Sequence, residues 1–180
     1  MPRAAKTAKN DAIALLKSDH RKVAGLFESY ENAKSKSVKA KLAHEICMEL
    51  SVHTTIEEEI FYPGVKDSVE LDLYDEAYVE HDGAKVLIAE VLASTPEDEF
   101  YDAKVKVLSE MIKHHVKEEE QRGGYFAQVK HSSSVDLAAL GSEMTARKKQ
   151  LTAQMKSTGI PTPATRSMKG APVRRAAPVA

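Results

Sequence analysis

Four stretches of this chain repeat apolar residues at i, i+3 and i+4, and each stripe contains a histidine. The first stripe is Ile13, Leu16, His20, Val23, Phe27 and Tyr30. The second is Leu42, Ile46, Leu50, His53, Glu57 and Ile60. The third is Leu71, Tyr74, Ala77, His81, Ala84, Ile88 and Val91. The fourth is Tyr101, Val105, Leu108, Met111, Ile112, His115 and Glu119. This period belongs to amphipathic helices that bury one face. No segment alternates with period two, so strands are not expected.

The spacing predicts helices over 11–33, 37–62, 70–93 and 96–122. Pro63-Gly64 should stop the second. Thr95 should cap the fourth, with Pro96 at its first position. Gly123-Gly124 should end it. A shorter fifth helix is expected over 136–154, with Leu137, Leu140, Met144 and Leu151 as its stripe. Four long helices with short connections imply an all-α, up-down-up-down antiparallel four-helix bundle, followed by the fifth helix. The domain reading is a basic N-terminus over 1–10, the bundle over 11–130 and a helical extension over 131–155. A disordered basic tail rich in Pro and Ala should cover 156–180.

Charge follows the same division. The chain has 26 basic and 27 acidic side chains. Its ends, 1–10 and 155–180, hold eight of the bases and none of the acids. The body between is left with 18 bases against 27 acids. An acidic body argues against nucleic acid as its ligand. One Cys excludes a disulfide framework and a cysteine zinc site. No apolar run is long enough for a membrane span. The Met1–Lys6 segment lacks the apolar stretch of a secretory signal, so the expected compartment is the cytoplasm.

Two of the histidines are followed at i+4 by a carboxylate, His53 by Glu57 and His115 by Glu119. On a helix these pairs share one face, about 6 Å apart. Two bare carboxylates inside one core would be costly and would repel each other. Metal ions remove both problems. The pattern also repeats: Asp19-His20 and Glu80-His81 each begin a unit that ends in His-x-x-x-Glu-Glu. The body therefore reads as two helix pairs related by a pseudo-twofold. It would bring His20, His53, His81 and His115 to one level with Glu57 and Glu119.

Four imidazoles and two carboxylates are too many ligands for one tetrahedral zinc. They are too rich in nitrogen for Mg or Ca. Two non-heme iron ions fit, with manganese as second choice. The Glu-x-x-His order of ferritin-like bundles is reversed here. His44 should face solvent, nine residues from His53. His114 and Glu118 form a rival pair to His115 and Glu119 but count back onto a poorer stripe. His131 should be peripheral and Cys47 inert. Glu58, Glu59, Glu118 and Glu120 should be solvated, and Tyr74 and Tyr101 should belong to the core.

These residues resemble the bacterial hemerythrin-like, or HHE cation-binding, domains. The resemblance rests on Leu15–Val23, His53–Pro63, Glu80-His81 and His114–Glu120, and covers about residues 10–130. It implies a four-helix bundle holding a di-iron centre, with bridging carboxylates from the two His-x-x-x-Glu motifs. Oxygen-carrying hemerythrins have a second His four residues after the third-helix His, where this chain has Lys85. They also place the last acid as Asp at His+5, where this chain has Glu120. Water or another side chain, such as a neighbouring Tyr, would then complete the site.

Three functional readings follow. The first is a protein that binds or senses oxygen, peroxide, nitric oxide or iron. The second is a di-iron enzyme with catalase-like or ferroxidase activity. The third is a plain helical module. No Ser-His-Asp or Cys-His pattern offers a catalytic nucleophile, and no catalytic residue is assigned. Deleting 1–10 and 155–180 should leave metal content unchanged.

Overall fold

The structure, a computed structural model, describes residues 11–170. The N-terminal segment 1–10 and the last ten residues of the tail lie outside the described residues. Among those described the fold is all-helical, without strands.

Helix α1 spans Ala12–Asn32 and begins where Asp11 accepts a hydrogen bond from the Ala14 N–H at 2.7 Å. Helix α2 spans Lys36–Ile56. It does not end at Pro63. A π-helical turn over Glu57–Phe61 leads into α3, Tyr62–Val65, and a short 3-10 turn follows. The π turn resets the hydrogen-bond register, so Pro63 falls in the first turn of a new α segment. There its missing N–H costs nothing.

Helix α4 spans Leu71–Leu92 and α5 spans Tyr101–Glu120. The fourth long helix thus starts five residues later than Pro96. Asp98 is the reason: its carboxylate accepts from the Thr95 N–H at 2.6 Å, and its own N–H returns to the Thr95 carbonyl. That closes a local turn in competition with helix.

At Gly123-Gly124 the chain breaks as expected. Gly123 has φ +80°, and a Cβ on Gly124 would lie 2.1 Å from the Glu118 backbone oxygen. That contact is against backbone, which cannot give without moving the last turn of α5. Gly124→Ala is therefore expected to cost about 1–3 kcal/mol, read as a lowered midpoint in denaturant unfolding.

A short helix not foreseen from periodicity, α6, covers Tyr125–His131. It folds Tyr125, Phe126 and Val129 into the core. Helix α7 spans Leu137–Thr158, with Asp136 capping it. At 22 residues it matches α4 in length, so it is not a short appendage. It packs on α1 and α2 and buries Met144, Leu151 and Met155.

The tail also departs from expectation. Residues 159–170 carry no helix, yet they return to α4. The buried Asp82 carboxylate accepts from the backbone N–H of Arg166 at 2.8 Å and the hydroxyl of Ser167 at 2.7 Å. The Arg166 guanidinium lies over the Tyr78 ring at 4.4 Å. A carboxylate buried without these donors would be costly, and this is what holds the segment in place.

The core divides into two apolar clusters. One gathers Ile13, Leu16, Ile56, Phe61, Tyr74 and Tyr78. The other gathers Val23, Phe27, Ile46, Leu50, Ile88 and Leu108. Along α1 and α4 the histidine sits between the part that enters one cluster and the part that enters the other, and on α2 His53 lies where the helix passes from Leu50 of the second cluster to Val52 and Ile56 of the first. The polar residues of the four stripes form the layer between.

Candidate metal centre

His20 on α1, His53 on α2, His81 on α4 and His115 on α5 are all buried, as are Glu57 and Glu119. Glu57 is 0 % exposed and stands at the first residue of the π turn. One Glu57 oxygen lies 3.1 Å from His53 Nε2 and 3.4 Å from His81 Nε2. A Glu119 oxygen lies 3.3 Å from His20 Nε2 and 3.7 Å from His115 Nε2. Each carboxylate thus faces one imidazole of its own helix pair and one of the other. The Nε2 atoms of His81 and His115 are 3.2 Å apart.

Three of the outer nitrogens are held by further carboxylates, and a fourth carboxylate faces the remaining one from farther away. Glu120 meets His20 Nδ1 at 2.7 Å, Glu58 meets His81 Nδ1 at 3.0 Å, and Glu80 meets His115 Nδ1 at 2.7 Å. Asp19 stands 3.6 Å from His53 Nδ1. The pseudo-twofold is visible in this set. The acid before each first histidine faces the second histidine of its own pair. The acid after each inner Glu reaches across to the other pair. A proton held on Nδ1 by a carboxylate leaves Nε2 free to face the interior, which is the tautomer a metal-binding imidazole needs.

Glu58 and Glu120, expected in solvent, are therefore half-buried partners of the histidines. Each sits one residue after an inward Glu, and the helix it reaches is not its own. Three of these outer acids also hold a lysine: Lys148 on Asp19, Lys85 on Glu58 and Lys17 on Glu120. Lys85, at the place of the absent histidine, is thus committed to Glu58 and Asp82. Glu59 is exposed and pairs with Arg147 of α7. His44 and His131 are exposed, while Tyr74 and Tyr101 are core residues. Cys47 is buried, and burial pushes its thiol up to about 12, leaving it unreactive.

Several inner atoms have no hydrogen-bond partner: His20 Nε2, both Glu57 oxygens and one Glu119 oxygen. Buried polar atoms are rarely left so, and a bound ion is one of the usual reasons. His20, His53 and Glu57 form one group whose ligand atoms lie within 4.8 Å of one another. Glu57, His81 and His115 form a second. The donor set and the orphaned atoms both fit metal cations.

Without metal, protons supply the missing charge. Burial disfavours a charged His53, but the Glu57 and Asp19 carboxylates outweigh it and push it up to about 10. His81 is likewise desolvated, and Glu57 and Glu58 push it up to about 9. Burial alone would raise Glu57, yet His53 and His81 hold it well below the usual carboxylate range.

Tyr62 lies within the His53–Pro63 segment, and its spacing from His53 does not mark it as a site residue. Its hydroxyl donates to Glu119 Oε1 at 3.2 Å and lies 3.2 Å from His81 Nε2. Burial, with Glu119 and Glu57 nearby, keeps this phenol protonated far above its usual range.

The hemerythrin HHE cation-binding domain pattern matches residues 11–122. This chain belongs to the hemerythrin HHE cation-binding family. A crystal structure of an HHE cation-binding domain-containing protein from Mycobacterium kansasii superimposes with TM-score 0.69 at 24% identity. It covers 83% of this chain and 94% of its own, so the two share a fold. A protein named DNA nickase from Nostoc sp. is 26% identical over 120 residues. Those residues are 67% of this HHE chain but 34% of that protein, so the chain spans about a third of its length. Every residue of the candidate centre falls inside the matched HHE segment. Among the described residues, no helix of this HHE protein is long and apolar enough to cross a membrane.

Proposed function

We propose that this HHE domain holds two non-heme iron ions and uses them to bind or sense a small ligand: dioxygen, peroxide, nitric oxide or iron itself. The observation that carries this is the convergence of four buried Nε2 atoms and two buried carboxylates with unpaired oxygens. His20, His53 and Glu57 would hold one ion. His81 and His115 would hold the other with Glu57, and Glu119 would be the second shared carboxylate. Manganese is the second choice. Bound iron would supply redox and Lewis-acid chemistry that no side chain here offers.

An up-down-up-down arrangement of α1, α2, α4 and α5 is part of the same reading. It is supported by the two clusters: α1 and α4 enter the first with their N-terminal halves, and α2 enters it with its C-terminal end. A groove of about 460 Å³ between α1 and α5 gives a small ligand access. Its walls include Ala24, Phe27, Ile112 and Val116, and it reaches His20 and Glu120.

Tyr62 favours the enzyme as second reading, catalase-like or ferroxidase. A protonated phenol beside Glu119 is a hydrogen-bond donor held ready at the centre and shielded from water. The acidic body gives no support to nucleic-acid binding, and the basic tail is assigned no partner.

Purification with native metal tests the proposal. Two irons per chain, with visible absorption that changes on adding oxygen or peroxide, are the expected result. A chain that takes up no transition metal sinks it. Oxygen release from peroxide that Tyr62→Phe slows without removing iron would select the enzyme.

A further inference from the structure

We infer that Glu80, His114 and Glu118 form a second, outer cation site, where a divalent transition-metal ion is held on its way to the buried centre. His114 Nε2 lies 3.3 Å from Glu80 Oε1 and 3.3 Å from Glu118 Oε1. The three ligand atoms lie within 4.8 Å of one another and come from α4 and α5. The His114 side chain is 60 % exposed, so an ion reaches it directly from solvent. One imidazole with two carboxylates suits ferrous, manganous or zinc ions.

Charge sets this corner apart from the other three. Asp19, Glu58 and Glu120 each carry a lysine that neutralises them. Glu80 has no lysine among the described ion pairs. In its place stand an imidazole and a second carboxylate. Two carboxylates around one imidazole lack a positive charge, and a cation supplies it.

A small cavity of about 10 Å³ borders the same residues. It is lined by Glu80 and Glu118 at the outside and by His115, Glu119 and Tyr125 within. Tyr125 is 2% exposed, and its hydroxyl has no hydrogen-bond partner. Its phenol feels the charge of the inner carboxylates Glu119 and Glu57. Glu80 touches both ends, with one oxygen facing His114 and the other on His115 Nδ1.

The route rests on the buried centre binding metal, whereas the outer site does not. Metal-stripped full-length chain and a His114→Ala, Glu118→Gln double variant are titrated with manganous ion, with free ion followed by electron paramagnetic resonance. The ion pairs described for the two substituted side chains are with Glu80 and with each other, not with the inner six residues, and circular dichroism checks the fold. The variant should bind one ion fewer per chain at saturation. Its inner centre should fill to the same level several-fold more slowly. Equal stoichiometry in the two chains overturns the outer site. One ion fewer with equal filling rates overturns its place on the route. A Glu57→Ala chain separates this from the function proposed above, since it should keep the outer ion after losing the inner ones.

Discussion

Glu57→Ala is expected to empty the inner centre, weakening metal binding by at least about 100-fold. Carboxylates that only orient a metal-bound imidazole already account for about 10- to 100-fold in affinity, and Glu57 faces the ligand atoms themselves. It belongs to both ligand groups, so one substitution removes a ligand from each. His20→Ala should be milder, because His20 belongs to one group. The fold should survive, since His53 and His81 can shed their protons once the carboxylate they balance is gone. Metal content by mass spectrometry, with circular dichroism for the fold, gives the answer. A Glu57→Ala chain with wild-type metal content would remove Glu57 from the site.

The second large effect is on pH. In the metal-free chain His53 keeps a proton up to about 10 and His81 up to about 9. A metal ion must displace both at neutral pH. Affinity should therefore fall as pH falls, by up to about tenfold per displaced proton for each pH unit. Two protons should appear in a weakly buffered solution as the centre fills. Chelator competition at several pH values measures the slope, and a flat profile across neutral pH would contradict it.

The metal-free fold should respond in the opposite sense. His53 and His81 are raised, so their contribution is fully present below the ordinary histidine value of 6.5 and is lost as pH rises through 9 and 10. Glu57 is lowered, so its contribution is present above 4.5 and is lost in more acid solution. The stabilisation conferred by metal should then grow steadily towards alkaline pH.

The inner residues were legible because a helix converts sequence spacing into direction. His115 over His114, and Glu57 over Glu58 and Glu59, follow from counting along one face, and burial agrees. What counting cannot see is the neighbouring helix. Glu58 and Glu120 lie off the inward stripe of their own helices, and their partners His81 and His20 belong to the other pair. The π turn was hidden for a related reason. Pro63-Gly64 reads as a stop unless the register has shifted just before it. Tyr62 owes its position to that turn. The tail gave no periodicity at all, because it is held by one buried carboxylate and not by a stripe.

The crossed contacts of the centre make each helix pair depend on the other. Glu57 needs His81, Glu119 needs His20, and Glu58 and Glu120 exchange partners in the same way. An isolated helix pair would carry two histidines and an inner carboxylate with half of their neighbours missing. Two identical copies meeting about a twofold axis would supply every one of these contacts, since such an interface pairs residue i with j and j with i. The centre thus repeats the contact pattern of an isologous interface, with both halves in one chain. Within one chain the two halves need not be identical, and they differ at Glu80, which has no lysine among the described ion pairs.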